Sequence, residues 1–267
     1  ALLASEDLGA GRLGGRLQGM GETVEFELWR SGGEPRPLVL LVPILAGGAD
    51  LLENVGQRLQ ARGFDIAFCG RAGSALKPPQ RGPELEELLR RTVLHQRLLL
   101  AWLRDPSNPP PRGTFVLGMS LGGMVATAVA ALEPGLDGLA ICLSGGDLPT
   151  LVPNSQEGRV EAWVKWRRET DGVGTDHLRW ELRRELALEP VAMAASIETA
   201  KVLFVSAWFD AVIPQHNQDL LWEALGRPAR LTVPLGHYTA ALAIDPILSA
   251  AADHFAGRIP ALGAPPR

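Results

Sequence analysis

The sequence predicts an α/β fold, with a mostly parallel central sheet, helices on both faces and a short helical insertion. Three observations predict it. The run Leu38–Val42 is apolar at every position, as befits a strand buried on both faces. Longer stretches with leucines at helical spacing alternate with such runs, which is the pattern of βα units. Gly and Pro cluster at the changes from one to the other, where they punctuate the chain.

In order, residues 24–29 alternate inward and outward as an early or edge strand. Leu38–Val42 is the central strand. A Gly47–Gly48 loop leads to a helix over 50–62, with Asp50 as N-cap and Gly63 as the stop. Residues 64–69 form the next strand. After Pro78, Pro79 and Pro83, residues 84–103 carry Leu85, Leu88, Leu89 and Leu99 on a helix. Thr114–Met119 is a strand, Leu121–Leu132 a small-residue helix and 138–143 a strand. Residues 201–207 and 230–233 are two more strands, and 239–255 is a final helix. The Pro/Gly-rich tail after Gly257 frays. Between residues 147 and 198 there is no convincing strand. That stretch holds Trp163, Trp166 and Trp180 among Arg and Glu. It reads as a helical cap, 148–199, inserted into a single domain covering 1–267, and is longer than ordinary connections.

Composition narrows the partners. The net charge of −4 offers no basic field for nucleic acid. No apolar run reaches the roughly 18–20 residues of a membrane span. Cys69 and Cys142 end apolar runs and read as buried free thiols. No metal-ligand spacing or dinucleotide loop is present, so no cofactor is expected. A monomer or small homo-oligomer acting on a small molecule fits. The compartment stays open, with a soluble cytoplasmic protein favoured over a secreted one. Ala1-Leu2-Leu3-Ala4 reads as the stub of a leader or as a mere boundary.

The chemistry centres on Gly118-Met119-Ser120-Leu121-Gly122, a G-x-S-x-G sequence. Five letters alone are weak evidence, but this match sits between a strand and a helix. There the serine is forced into a strained turn and held out at the carboxyl end of the sheet. Its hydroxyl needs a base, and the base needs an orienting acid. Of the five histidines, His237 sits on a loop between a strand and the last helix. His95, His177, His216 and His254 lie on helical patterns or in the insertion and suit packing or the surface. For the acid, Asp210 directly follows the 201–207 strand and is preferred. Asp147, just past the preceding strand, is the competitor.

Taken together, these residues resemble the α/β-hydrolase superfamily, from about Val24 to Phe255. The order Ser120, Asp210, His237 is the order of that family. Asp210-Ala211-Val212-Ile213-Pro214 is similar to its acid loop, and Gly236-His237 to its histidine loop. Arg71-Ala72-Gly73-Ser74 resembles a family turn and reads as structural. The chain departs from the family at Pro43-Ile44-Leu45-Ala46-Gly47-Gly48, where many members carry His-Gly. Pro43 has no N–H to offer.

The resemblance implies an esterase acting through an acyl-enzyme, with a carboxylic ester as substrate and no cofactor. The oxyanion donors would be the amides of Leu121 and Leu45, with Ile44 as the alternative to Leu45. Met119, Trp208, Tyr238, Trp163 and Trp166 are expected around the substrate pocket, although the cap tryptophans equally suit a small core of the insertion. The same triad serves peptidases, thioesterases and acyltransferases, and a non-catalytic binding protein is a further, weaker alternative.

Overall fold

The computed structural model describes residues 1–45 and 49–259. The Gly47–Gly48 loop and the end of the C-terminal tail lie outside the described residues. The strands are β1 (Leu2–Gly9), β2 (Arg12–Gly19), β3 (Glu22–Trp29), β4 (Leu38–Val42), β5 (Asp65–Cys69), β6 (Thr114–Met119), β7 (Gly138–Cys142), β8 (Val202–Ala207) and β9 (Ala229–Val233). They form one sheet in the order β1-β2-β3-β5-β4-β6-β7-β8-β9. The stretch from β5 to β9 is parallel, and β1, β2 and β3 join antiparallel.

The helices are α1 (Ala49–Gln60), α2 (Gly82–Leu103), α3 (Leu121–Leu132), α4 (Leu148–Asn154), α5 (Gly158–Asp171), α6 (Thr175–Glu185), α7 (Pro190–Ala194), α8 (Gln215–Ala224) and α9 (Ile244–Ala256). Side chains alternate across β4. Leu38, Leu40 and Val42 enter one core, shared with α2, α3, α8 and the 148–199 segment. Val39 and Leu41 enter the other, shared with α1 and α9. That is why β4 is apolar throughout. No described helix is long and apolar enough to cross a membrane.

Several expectations shift. The hairpin β1–β2 precedes the strand expected at 24–29, and residues 2–4 belong to its first strand. All eight residues of β1 are exposed, so it lacks the apolar alternation that marks a strand. Helix α1 begins at Ala49, which puts Asp50 inside the first turn instead of at the cap. The final helix is divided: a 3₁₀ turn covers Thr239–Ala243 before α9. Gly63 does end its helix region, at φ 91°, where glycine alone is unstrained.

The chain runs from β4 outward to β5, then returns across β4 to β6. This reversal opens a crevice at the carboxyl ends of β4 and β6, where ligands bind in open α/β sheets. The loops after β4, β6, β7, β8 and β9 all emerge on that edge.

Candidate active site

Ser120 sits between β6 and α3 at φ 53°, ψ −126°, a conformation that costs an L-residue of order 1–3 kcal/mol. The flanking glycines make the turn possible. A Cβ on Gly118 would stand 2.1 Å from the Gly122 carbonyl oxygen, and one on Gly122 would stand 2.5 Å from that of Val42. Both obstacles are backbone and cannot swing away. The Ser120 N–H donates to the Cys142 carbonyl at 2.9 Å, and its own carbonyl accepts from Gly123 at 2.9 Å. The turn is thus pinned to β7 and to the helix it starts. The Leu121 amide lies in the first turn of α3, where N–H groups have no intrahelical acceptor.

Beyond the paired ends of β8 and β9, the two following loops remain zipped. Trp208 N–H donates to Val233 O at 2.9 Å, and Phe209 N–H to Leu235 O at 3.0 Å. This brings Asp210 against His237. The Asp210 carboxylate is buried; its Oδ1 accepts the Val212 and Ile213 amides at 2.9 and 2.8 Å. Its Oδ2 lies 2.7 Å from His237 Nδ1, and His237 Nε2 lies 3.0 Å from Ser120 Oγ. One oxygen of the acid is fixed by its own loop, which leaves the other aimed at the imidazole.

Asp147 is placed elsewhere. Its carboxylate accepts from the Thr150 hydroxyl and faces Arg183 at 3.7 Å. It makes no contact with His237. Two of the other histidines are engaged away from this point: His95 bonds Glu22 at 3.0 Å, and His254 bonds the Lys201 carbonyl at 3.0 Å.

A cavity of about 310 Å³ opens beside Ser120 and His237, within the size range of small-molecule sites. Ile44, Leu45, Met119, Leu121 and Tyr238 line it, as do Leu76, Met124, Leu148, Leu151, Val160, Ile213 and Ile244. The 148–199 segment therefore supplies part of its wall. Three of the expected aromatic contributors are absent from it. Trp163 is fully buried inside the segment and donates its indole N–H to the Gln80 carbonyl at 2.8 Å. Trp166 stacks under the Arg81 guanidinium at 5.4 Å. Trp208 is 65% exposed and is not among the residues that line the cavity. Helical spacing reveals that a tryptophan faces inward, but not which of two interiors it faces.

Glu157 was not anticipated. Its side chain lines the cavity, while its Oε2 caps α5 by accepting the Val160 amide at 2.9 Å. The only sequence signal was an acidic residue just ahead of a helix. Burial, Glu157 and Asp210 together raise the Tyr238 phenol above its ordinary range. Cys142 also touches the cavity, but burial pushes its thiol up to about 12, so it stays a protonated thiol at neutral pH. Both cysteines are free and buried.

No family model matches the sequence, and no curated protein is similar to it in sequence. Solved structures do match in shape. A cold-adapted esterase from an Arctic intertidal metagenomic library superposes with a TM-score of 0.63 at 16% identity, covering 97% of this chain and 100% of that one. A thermostable carboxyl esterase from Bacillus coagulans gives 0.64 at 14% identity, covering 94% and 99%. An enol-lactonase from Burkholderia xenovorans gives 0.59 at 14% identity, covering 90% and 99%. All three have the α/β-hydrolase fold, and this chain shares it.

Proposed function

We propose that the protein is a serine hydrolase that cleaves carboxylic esters through an acyl-enzyme. The observation that carries this reading is the unbroken path from Asp210 through His237 to Ser120 Oγ, held at the mouth of an apolar cavity. In this reading His237 Nε2 takes the Ser120 proton as Oγ attacks the ester carbonyl. The buried Asp210 carboxylate holds the imidazole in the required tautomer and stabilises the imidazolium. The amides of Leu121 and Leu45 (or Ile44 in place of Leu45) donate to the developing oxyanion. His237 then returns the proton to the leaving alcohol as the C–O bond breaks. Water, deprotonated by His237, releases the acid and restores Ser120.

The esterases and the lactonase of like fold support this chemistry, as does the cavity wall. Few polar groups lie along it beyond Ser120, His237, Ser155, Glu157 and Tyr238. Such a wall suits an acyl chain better than a peptide, whose amides would be left unpaired. The 148–199 segment would act as a cap over this acyl pocket.

The test is labelling with a fluorophosphonate probe, followed by hydrolysis of p-nitrophenyl esters. Wild type should label stoichiometrically. Ser120→Ala should not label, and its turnover should fall by about 10⁴-fold or more. Equal labelling of both proteins would falsify the assignment.

A further inference from the structure

The turn at Arg71 has more in it than backbone. Arg71 follows β5 on the carboxyl edge, beside the β4 loop. It is half-buried, and its Nη1 is fully buried without a hydrogen-bond partner among the described residues. Arg159 is the second residue of α5. Burial first, and the Arg159 charge second, hold the Arg71 guanidinium below its usual range. Arg159 itself is exposed and donates from Nη1 to the Leu45 carbonyl at 3.3 Å. Leu45 lines the cavity beside Ser120. Among the described residues neither arginine meets a carboxylate, whereas Arg81 and Arg167 both do.

Two guanidinium groups that feel one another's charge repel, and a buried N–H without an acceptor costs free energy. Both costs are removed by one ligand type. A planar or tetrahedral oxyanion accepts several guanidinium N–H bonds at once and neutralises the pair. Glu157 sits on the cavity wall itself and disfavours an anion among the lining residues, which include neither arginine. The anion therefore belongs at the rim, beside Leu45, with the apolar part of the substrate inside.

We infer that Arg71 and Arg159 form an anion subsite at the rim of the cavity, and that the substrate is an ester carrying a second, negatively charged group, a carboxylate or a phosphate. The substrate part of this inference rests on the proposed esterase reading; the subsite itself does not.

Mono-p-nitrophenyl adipate and p-nitrophenyl hexanoate share an acyl length and differ by a terminal carboxylate. Wild type should favour the adipate ester in kcat/KM, and salt should weaken that preference. Arg71→Gln and Arg159→Gln should each lower the adipate-to-hexanoate ratio by about tenfold. A second arm uses Ser120→Ala and needs no turnover. Adipate or inorganic phosphate should raise its thermal midpoint, and adding Arg71→Gln or Arg159→Gln should abolish the rise. A larger rise with adipate identifies a carboxylate ligand, and a larger rise with phosphate a phosphoryl one. An unchanged ratio in both variants, or no stabilisation by either anion, overturns the subsite. Absence of Ser120-dependent turnover of the hexanoate ester overturns the esterase reading instead, and the binding arm still decides the subsite.

Discussion

Asp147 and Asp210 occupy comparable places on neighbouring strands. Each follows the carboxyl end of a parallel strand, Asp147 after β7 and Asp210 after β8, and each lies within a few residues of a helix start. Their environments differ. Asp210 is buried, with one carboxylate oxygen taken by two amides of its own loop. Asp147 is half-exposed, in the left-handed region at φ 56°, with its carboxylate turned to Thr150 and Arg183. Even the buttresses are neighbours. Asn217 on α8 donates to the Gly146 carbonyl at 2.8 Å and so ties down the Asp147 loop. Gln218, the next residue, accepts the Ala207 amide at 3.1 Å and donates to Ile213 O at 2.8 Å, pinning both ends of the Asp210 loop. An acid reaches the imidazole because of how its loop is braced, and a place on the right edge of the sheet is not sufficient.

The comparison breaks most visibly at the acids. Asp210→Asn should lower kcat on a p-nitrophenyl ester by about 10⁴-fold, measured with the folded state checked by circular dichroism. Should Asp147→Asn be the inactive protein, the roles assigned to the two loops are reversed.

The braces come next. Gln218→Ala leaves several buried backbone groups without partners and should cost about 3 kcal/mol in urea denaturation, with kcat falling as the Asp210 loop loosens. Asn217→Ala removes one such bond and should cost about 1 kcal/mol, with a smaller change in kcat. Equal effects on kcat would show that the braces do not discriminate between the loops.

A group remote from both loops separates frame from site. Glu22 on β3 is hydrogen-bonded by Arg91 and by His95, which hold its carboxyl down at about 2. A lowered carboxyl contributes stability above its ordinary value of 4.5, and that contribution is lost as pH falls towards 2. Glu22→Gln should therefore cost about 1 kcal/mol at neutral pH, after allowing for solvent screening. The gap from wild type should close by pH 2. A constant gap across that window would assign the loss to packing. The smallest effect belongs to Asp147→Asn, with kcat within about threefold of wild type, since exposed groups away from the reaction contribute little.

The parallel half of the sheet was legible because strands buried on both faces leave continuous apolar runs, as in β4. The strand-turn-helix around Ser120 was legible for a different reason: backbone obstacles at Gly118 and Gly122 leave no room for any other residue. Strand β1 was not, because a strand exposed on both faces has no hydrophobic period to display. The cap tryptophans were misplaced because Trp163 packs into the core that the 148–199 segment shares with α2 and α3, its indole tied to Gln80. The choice between two acids stayed open in the sequence. It depends on amides at Val212 and Ile213 and on side chains of α8, whose convergence no spacing rule records.

The backbone at Ser120 has an evolutionary side. A residue that must hold φ 53° is one that glycine would occupy with less strain. Selection for a sturdier molecule alone would erase the hydroxyl, and a Ser120→Gly protein should melt above wild type while losing its reactivity. The strain held at Ser120 is a cost in stability that the proposed role of its hydroxyl would offset.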